Sequence, residues 1–216
     1  MSHITLIRHG QANTEARDEI SYDRLSPLGH RQSAWLGAHL RETGSSHPRV
    51  YCGTLTRHVE TAASMGLPDP IRDPRLNEVA YFTLAQLYED QHGVPIPTDR
   101  EGFIVHLPRT FGAWQRDEIA GAPESFEAFE TRVSEALQEI AGGAGPAIVV
   151  TSGGLISMAM RRAMGLGVPA MARVALAIMN TSMHRLFPIG EHMTPVLFNA
   201  VPHLEAPDRQ FAQTHL

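Results

Sequence analysis

Apolar and polar positions along the chain form two patterns: short dense apolar runs, and longer stretches that repeat every three to four residues. Residues 4–7 are a run of the first kind and predict a buried strand, which ends abruptly in Arg8-His9-Gly10. Residues 11–24 are polar, lack a clear period and predict a loop. Ser26 and Pro27 then suit the cap and first turn of a helix. Leu28, Gln32, Leu36 and Leu40 share one face of it, with Trp35 beside them, up to a stop at Thr43-Gly44. Residues 49–53 predict a second strand, and a helix follows from Thr54, carrying Arg57, His58 and Thr61 and ending near Gly66. Pro68, Pro70 and Pro74 break the chain before Leu76-Asn77-Glu78. Residues 79–122 mix aromatic and polar positions around Pro95, Pro97 and Pro108, and predict a partly helical, lid-type insertion.

The period returns after Ser125. Phe126, Phe129, Val133, Leu137 and Ile140 mark a core-facing helix stopped by Gly142-Gly143. Residues 147–150 have the composition of a central strand, and Thr151-Ser152-Gly153-Gly154 leads from it into a second apolar helix that runs through Met164. Residues 174–179, 183–187 and 196–198 predict further strands, the last two separated by a turn at Pro188-Ile189-Gly190. Strands alternating with helices predict an α/β fold, with a mostly parallel central sheet and a late antiparallel edge, formed by residues 1–216 as one domain. A dinucleotide-binding domain shares this alternation, but Arg8-His9-Gly10 stands where its Gly-x-Gly-x-x-Gly turn belongs.

Composition narrows the chemistry. With 216 residues, 43% of them apolar, the chain can bury a full core. A formal charge of −5 gives no basic footprint for nucleic acid or an anionic membrane, so an anionic substrate must be caught locally by a few arginines. Cys52 is the only cysteine, which excludes an intrachain disulfide, and its place in a strand predicts a buried thiol. The chain passes from Met1 almost directly into the first strand, with no secretory signal pattern and no apolar stretch long enough for a membrane span, so a cytoplasmic placement is expected. The 12 histidines are scattered and match no metal-ligand spacing, so no metal is expected.

A strand that ends in a cation, an imidazole and a glycine points to a site. In α/β folds, side chains at the carboxyl ends of strands face the crevice where ligands bind. Arg8 offers a cationic fork for phosphate, His9 a nucleophile that is neutral near pH 7, and Gly10 room to turn. Arg57, in the first turn of its helix, sits beside N–H groups that also favour an anion. Chemistry on phosphate follows.

Taken together, Arg8-His9-Gly10, Leu25-Ser26-Pro27-Leu28-Gly29-His30-Arg31-Gln32, Thr54-Leu55-Thr56-Arg57 with Thr61, Leu76-Asn77-Glu78 and Val150-Thr151-Ser152-Gly153-Gly154 resemble the histidine phosphatase superfamily, the phosphoglycerate mutase-like proteins. Asn180-Thr181-Ser182 and residues 199–204 extend the likeness toward the end of the chain. The resemblance implies a three-layer α/β/α fold without cofactor and a small phosphorylated substrate. His9 would attack phosphorus and carry the phosphoryl group, Arg8 and Arg57 would clamp its oxygens, and Glu78 would protonate the leaving oxygen and then activate water. Gly153 would line the phosphate site.

Three positions depart from the family pattern. The family has a histidine directly before the paired glycines, where this chain has Ser152, a shorter donor without charge. Loss of a comparable donor costs about a hundred- to a thousandfold in rate. A bridging water or His58 would replace it. His58, however, follows Arg57 on the helix and points about 100 degrees away around its axis, so packing is its expected role. Glu15 stands where the family often has a phosphate-contacting asparagine, with Asn13 two residues earlier as the substitute, and Gln11 replaces the acidic residue usual in the mutases. Hydrolysis is therefore expected over mutase activity. The competing reading is a phosphate-ligand binding or regulatory protein that has lost turnover through Ser152. The apolar run at 174–179 would give a homodimer an exposed sheet edge.

Overall fold

The computed structural model describes residues 2–16, 18–45, 47–190 and 192–215, so Met1 and Arg17, which fall within the opening-segment and loop readings, lie outside the described residues. The sheet has six strands. In chain order they are β1 (Ile4–Arg8), β2 (Arg49–Cys52), β3 (Ile71–Arg72), β4 (Ala147–Thr151), β5 (Met183–Ile189) and β6 (His192–Ala200). In space the order is β3-β2-β4-β1-β5-β6. β1, β2, β3 and β4 run parallel, whereas β5 and β6 are antiparallel to their neighbours and close one edge.

Helices cover both faces of the sheet, which is why β1 and β4 are buried at every residue and are mostly apolar. Ile4 and Leu6 point to the layer that holds α5 (Arg100–Gln115), α6 (Phe126–Gly142), α7 (Gly153–Met164) and α8 (Val168–Ala177). Ile7, Ile148 and Val150 point to the other layer, against Leu36 and Leu40 of α2 (Pro27–Glu42) and Ala62 of α3 (Thr56–Ser64). The result is the expected three-layer α/β/α arrangement. The capping signals work as read: Ser26 Oγ accepts from Gly29 N at 3.0 Å, and Ser125 Oγ accepts from Ala128 N at 3.1 Å. Cys52 is fully buried, and burial pushes its thiol up to about 11.

Four expectations need correction. Residues 174–177 are the last turn of α8, not a strand, and Ile178 already lies beyond that helix. Short apolar runs do not separate buried helix from strand; Pro169 in the first turn and burial of Val168, Met171 and Ala172 decide for helix. The sheet edge invoked for a homodimer therefore does not lie at 174–179, and the edge strand on that side is β6. The loop at 11–24 carries a short helix, α1 (Glu19–Tyr22), capped by Asp18, whose carboxylate accepts from Ser21 N at 2.7 Å. β3 was not anticipated; it pairs with only two residues of β2. The segment 79–122 is partly helical as expected: α4 (Tyr81–His92) and α5 fill most of it, with Pro108 inside α5. Proline there forfeits one backbone hydrogen bond, while His106, Leu107 and Phe111 on either side are buried and hold the helix by packing.

Candidate active site

The site lies at the carboxyl ends of β1 and β4. Their register pairs Arg8 with Thr151, so the next residues, His9 and Ser152, leave the sheet side by side. His9 N donates to Thr151 O at 2.8 Å and Asn180 Nδ2 donates to His9 O at 3.1 Å, which fixes the backbone under the imidazole from β4 and from the turn that precedes β5. Gly10 follows because the chain brushes α2 here: a Cβ would stand 2.5 Å from Gly29 O. Its N–H donates to Thr61 Oγ1 at 3.0 Å, tying the turn to α3.

His9 Nδ1 lies 2.7 Å from the carbonyl oxygen of Gly10, an acceptor only, so Nδ1 carries the proton and Nε2 keeps its lone pair. Burial, then the positive charges of Arg57 and Arg8 and the neighbouring His58, hold the imidazole well below its usual range, hence neutral. A neutral imidazole with a free Nε2 is a nucleophile.

Arg8 and Arg57 are both buried. Arg8 donates through Nη1 to the carbonyl of Ile178, and its Nε has no partner. Arg57 Nη1 donates to Asp23 Oδ1 at 3.0 Å and its guanidinium lies 5.0 Å from the Tyr22 ring centroid, again with Nε unpartnered. Asp23 has a second task. Its two oxygens accept from Thr56 N at 2.8 Å and Arg57 N at 3.2 Å, capping α3 from another segment because Leu55, at the cap position, has no side-chain acceptor. The loop at 11–24 thus holds the second arginine in place.

Glu78 reaches the first turn of α7. Its Oε2 accepts from Gly154 N at 2.9 Å and its Oε1 from Val79 N at 3.0 Å. The paired glycines serve this approach unequally: a Cβ on Gly154 would stand 2.2 Å from Glu78 Oε1, whereas one on Gly153 would meet nothing nearer than 3.7 Å.

Ser152 is fully buried and its Oγ lies 2.6 Å from His58 Nε2. The offset around the helix therefore does not take His58 away from the site. His58 is fully buried, and its ring centroid is 5.8 Å from that of His9. Burial, followed by the Arg57 charge, holds His58 well below its usual range as well.

Arg8, His9, Arg57, Glu78, Gly153 and Gly154 line a cavity of about 200 Å³. Asn13 is engaged elsewhere: its amide donates to Ser21 O at 3.0 Å and its Oδ1 accepts from Glu15 N at 3.2 Å, so it braces its own loop. Gln11 is held in the same way, accepting from Ser26 Oγ at 2.8 Å. Glu19 and Tyr22, which also line the cavity, escaped the sequence reading. Glu19 accepts from Phe82 N at 2.8 Å, and burial raises its carboxyl above the ordinary range. Both sit on α1, which lacked any period by which to find it. Among the described residues, no group of three or more His, Cys, Asp or Glu side chains could hold a metal, and no helix is long and apolar enough to cross a membrane.

Comparison with known proteins agrees with this fold. Among solved structures, phosphoserine phosphatase from Entamoeba histolytica in complex with 3-phosphoglyceric acid superposes with a TM-score of 0.69 at 15% identity, over 94% of this chain and 100% of that one. A Bacillus stearothermophilus protein gives 0.68 at 20% identity, over 94% and 99%. The mycobacterial glucosyl-3-phosphoglycerate phosphatase complexed with VO3 gives 0.63 at 21% identity, over 92% and 98%. At these identities the likeness establishes the fold. No curated protein sequence matches the chain. The family model of the histidine phosphatase superfamily, branch 1, matches residues 4–201, and with that span on this fold the chain belongs to the histidine phosphatase superfamily.

Proposed function

We propose that the protein is a phosphomonoesterase that works through a phosphohistidine on His9 and needs no metal, and that it prefers substrates with an apolar or aryl leaving group. His9 Nε2 attacks phosphorus, the P–O ester bond breaks, and Glu78, protonated on entry to the step, gives its proton to the departing oxygen. The resulting carboxylate takes a proton from water, the hydroxide displaces His9, and inorganic phosphate leaves. Arg8 and Arg57 balance the charge on the phosphoryl oxygens, each with an unpartnered Nε. Gly153 lets the phosphoryl group approach the first turn of α7, and Ser152 lies beside His9. Asn13 takes no direct part unless its loop rearranges.

The observation that carries this reading is His9 itself: buried, neutral, proton fixed on Nδ1, and flanked by two arginines. The leaving-group preference rests on the cavity walls. Tyr81, Phe82, Phe103, Leu107 and Phe111 line it, and among the described residues no cation apart from Arg8 and Arg57 does. A substrate whose leaving group carries a second anion would meet Glu19 and aromatic rings there, whereas an aryl group would bury its faces. The second reading, a phosphate-ligand binding or regulatory protein, is favoured by Ser152 standing where an imidazole is expected.

One experiment separates them. Phenyl phosphate, naphthyl phosphate and 3-phosphoglycerate are assayed in EDTA, beside His9→Ala. The enzyme reading expects turnover of the aryl esters, abolished by His9→Ala, with kcat/KM for 3-phosphoglycerate at least tenfold lower. Thermal protection by inorganic phosphate without any turnover would support the binding protein instead, and 3-phosphoglycerate as the best substrate would reverse the leaving-group assignment.

A further inference from the structure

Ser152 occupies the N-cap of α7 but makes no capping bond, although Ser26, Asp99 and Ser125 all cap their helices. Its hydroxyl is turned instead to His58 Nε2, 2.6 Å away. Both side chains are fully buried. The ring is seated where Gly53 leaves space, since a Cβ there would stand 2.2 Å from His58 Nδ1. That Nδ1 is buried and has no hydrogen-bond partner.

The orphaned atom fixes the direction of the bond. A neutral imidazole has one N–H and one lone pair. A proton on Nδ1 would be a buried donor with no acceptor, an arrangement that native structures avoid. With the proton on Nε2, His58 donates to Ser152 Oγ and the only proton of the hydroxyl is left to point elsewhere. The strand register puts His9 beside Ser152, and β-strands in a sheet lie about 4.8 Å apart, so a phosphoryl group on His9 is the neighbouring acceptor. Donation into the hydroxyl polarises its own O–H and strengthens the bond it makes.

We infer that His58 positions and polarises the Ser152 hydroxyl as the hydrogen-bond donor to the phosphoryl oxygens, so that the imidazole which the family carries on the strand before the paired glycines is supplied here from α3, one serine removed. His58 is a positioning residue, and Ser152 makes the contact. The inference rests on the phosphatase reading of the same site.

The test uses the full chain with an aryl phosphate as substrate and orthovanadate as a turnover-independent probe of the phosphoryl site. His58→Ala and Ser152→Ala are each expected to lower kcat about a hundredfold and to weaken vanadate binding, with the double variant no worse than either single one. The decisive variant adds Ser152→His to His58→Ala. Restoration of at least tenfold in kcat supports the relay, because a merely structural role for His58 would not be rescued by an imidazole at residue 152. Ser152→Ala removes a single oxygen, so it tests the donor even where His58→Ala fails to fold. A folded Ser152→Ala with kcat and vanadate affinity within twofold of wild type overturns the inference. Wild-type protein that binds vanadate but turns over no ester overturns the phosphatase reading while the vanadate comparison still decides the donor.

Discussion

A single hydrogen atom on an α-carbon sets the position of Glu78, the proposed general acid. Gly154 gives up its side chain so that Glu78 can reach its N–H, and a Cβ would intrude to 2.2 Å from the carboxylate. Gly154→Ala is therefore expected to displace Glu78 and lower kcat about 100-fold, the scale at which a misplacement near 1 Å is felt. Steady-state kinetics beside a thermal melt checks this, and a folded variant with unchanged kcat would show that the acid sits elsewhere during turnover. At this scale the sequence was legible in position: Arg8, His9 and Arg57 lie at the ends of strands and helices that the apolar pattern locates, whereas Glu78 was singled out by the family resemblance alone. His58 was harder to place. Rotation around one helix says nothing about what approaches that helix from a neighbouring strand, and Ser152 does.

Among the elements, α3 depends on a residue it does not contain. Asp23 caps its first turn and pairs with Arg57, so the same carboxylate offsets the end of the helix and a buried guanidinium. Asp23→Ala removes both and is expected to destabilise the protein by about 3 kcal/mol, whereas Asp23→Asn keeps a capping acceptor and should lose less. Urea unfolding of the two variants measures the difference; equal midpoints would mean that the cap contributes nothing beyond the charge. Elements with a strong period or a recognisable cap were read correctly from the sequence, α2 and α6 most fully. α1 was missed because four residues show no period, and β3 because two residues barely make a strand. α8 was read as a strand because Val174 to Ile178 is apolar throughout and only its burial pattern distinguishes the two.

For the molecule as a whole, buried histidines tie stability to pH. His184 and His203 are buried, and desolvation lowers each to about 3, against 6.5 when exposed; His9 and His58 are lowered as well. A histidine kept neutral in the fold binds its proton first in the unfolded chain. Its contribution is therefore fully present above pH 6.5 and is lost as the pH falls toward the folded value, at about 1.4 kcal/mol per pH unit for each group. Melting temperature is expected to fall steadily from pH 6.5 to pH 4, and a flat profile over that range would mean that these imidazoles are reached by solvent. The alternation of strand and helix made the mostly parallel α/β sheet legible, and the family resemblance implied its three layers. The side on which each helix packs was not legible, because that depends on crossover connections.

The space beside Gly53 has a historical consequence as well. Gly53, His58 and Ser152 lie on three different segments, yet the ring fits only while the first has no side chain, and it finds its partner only while the third has a hydroxyl. Such a trio cannot drift one residue at a time without loss. Relatives of this chain should therefore carry all three together or none of them. A survey that inspects only the column before the paired glycines would count such proteins as lacking an imidazole that is present three-dimensionally, on α3.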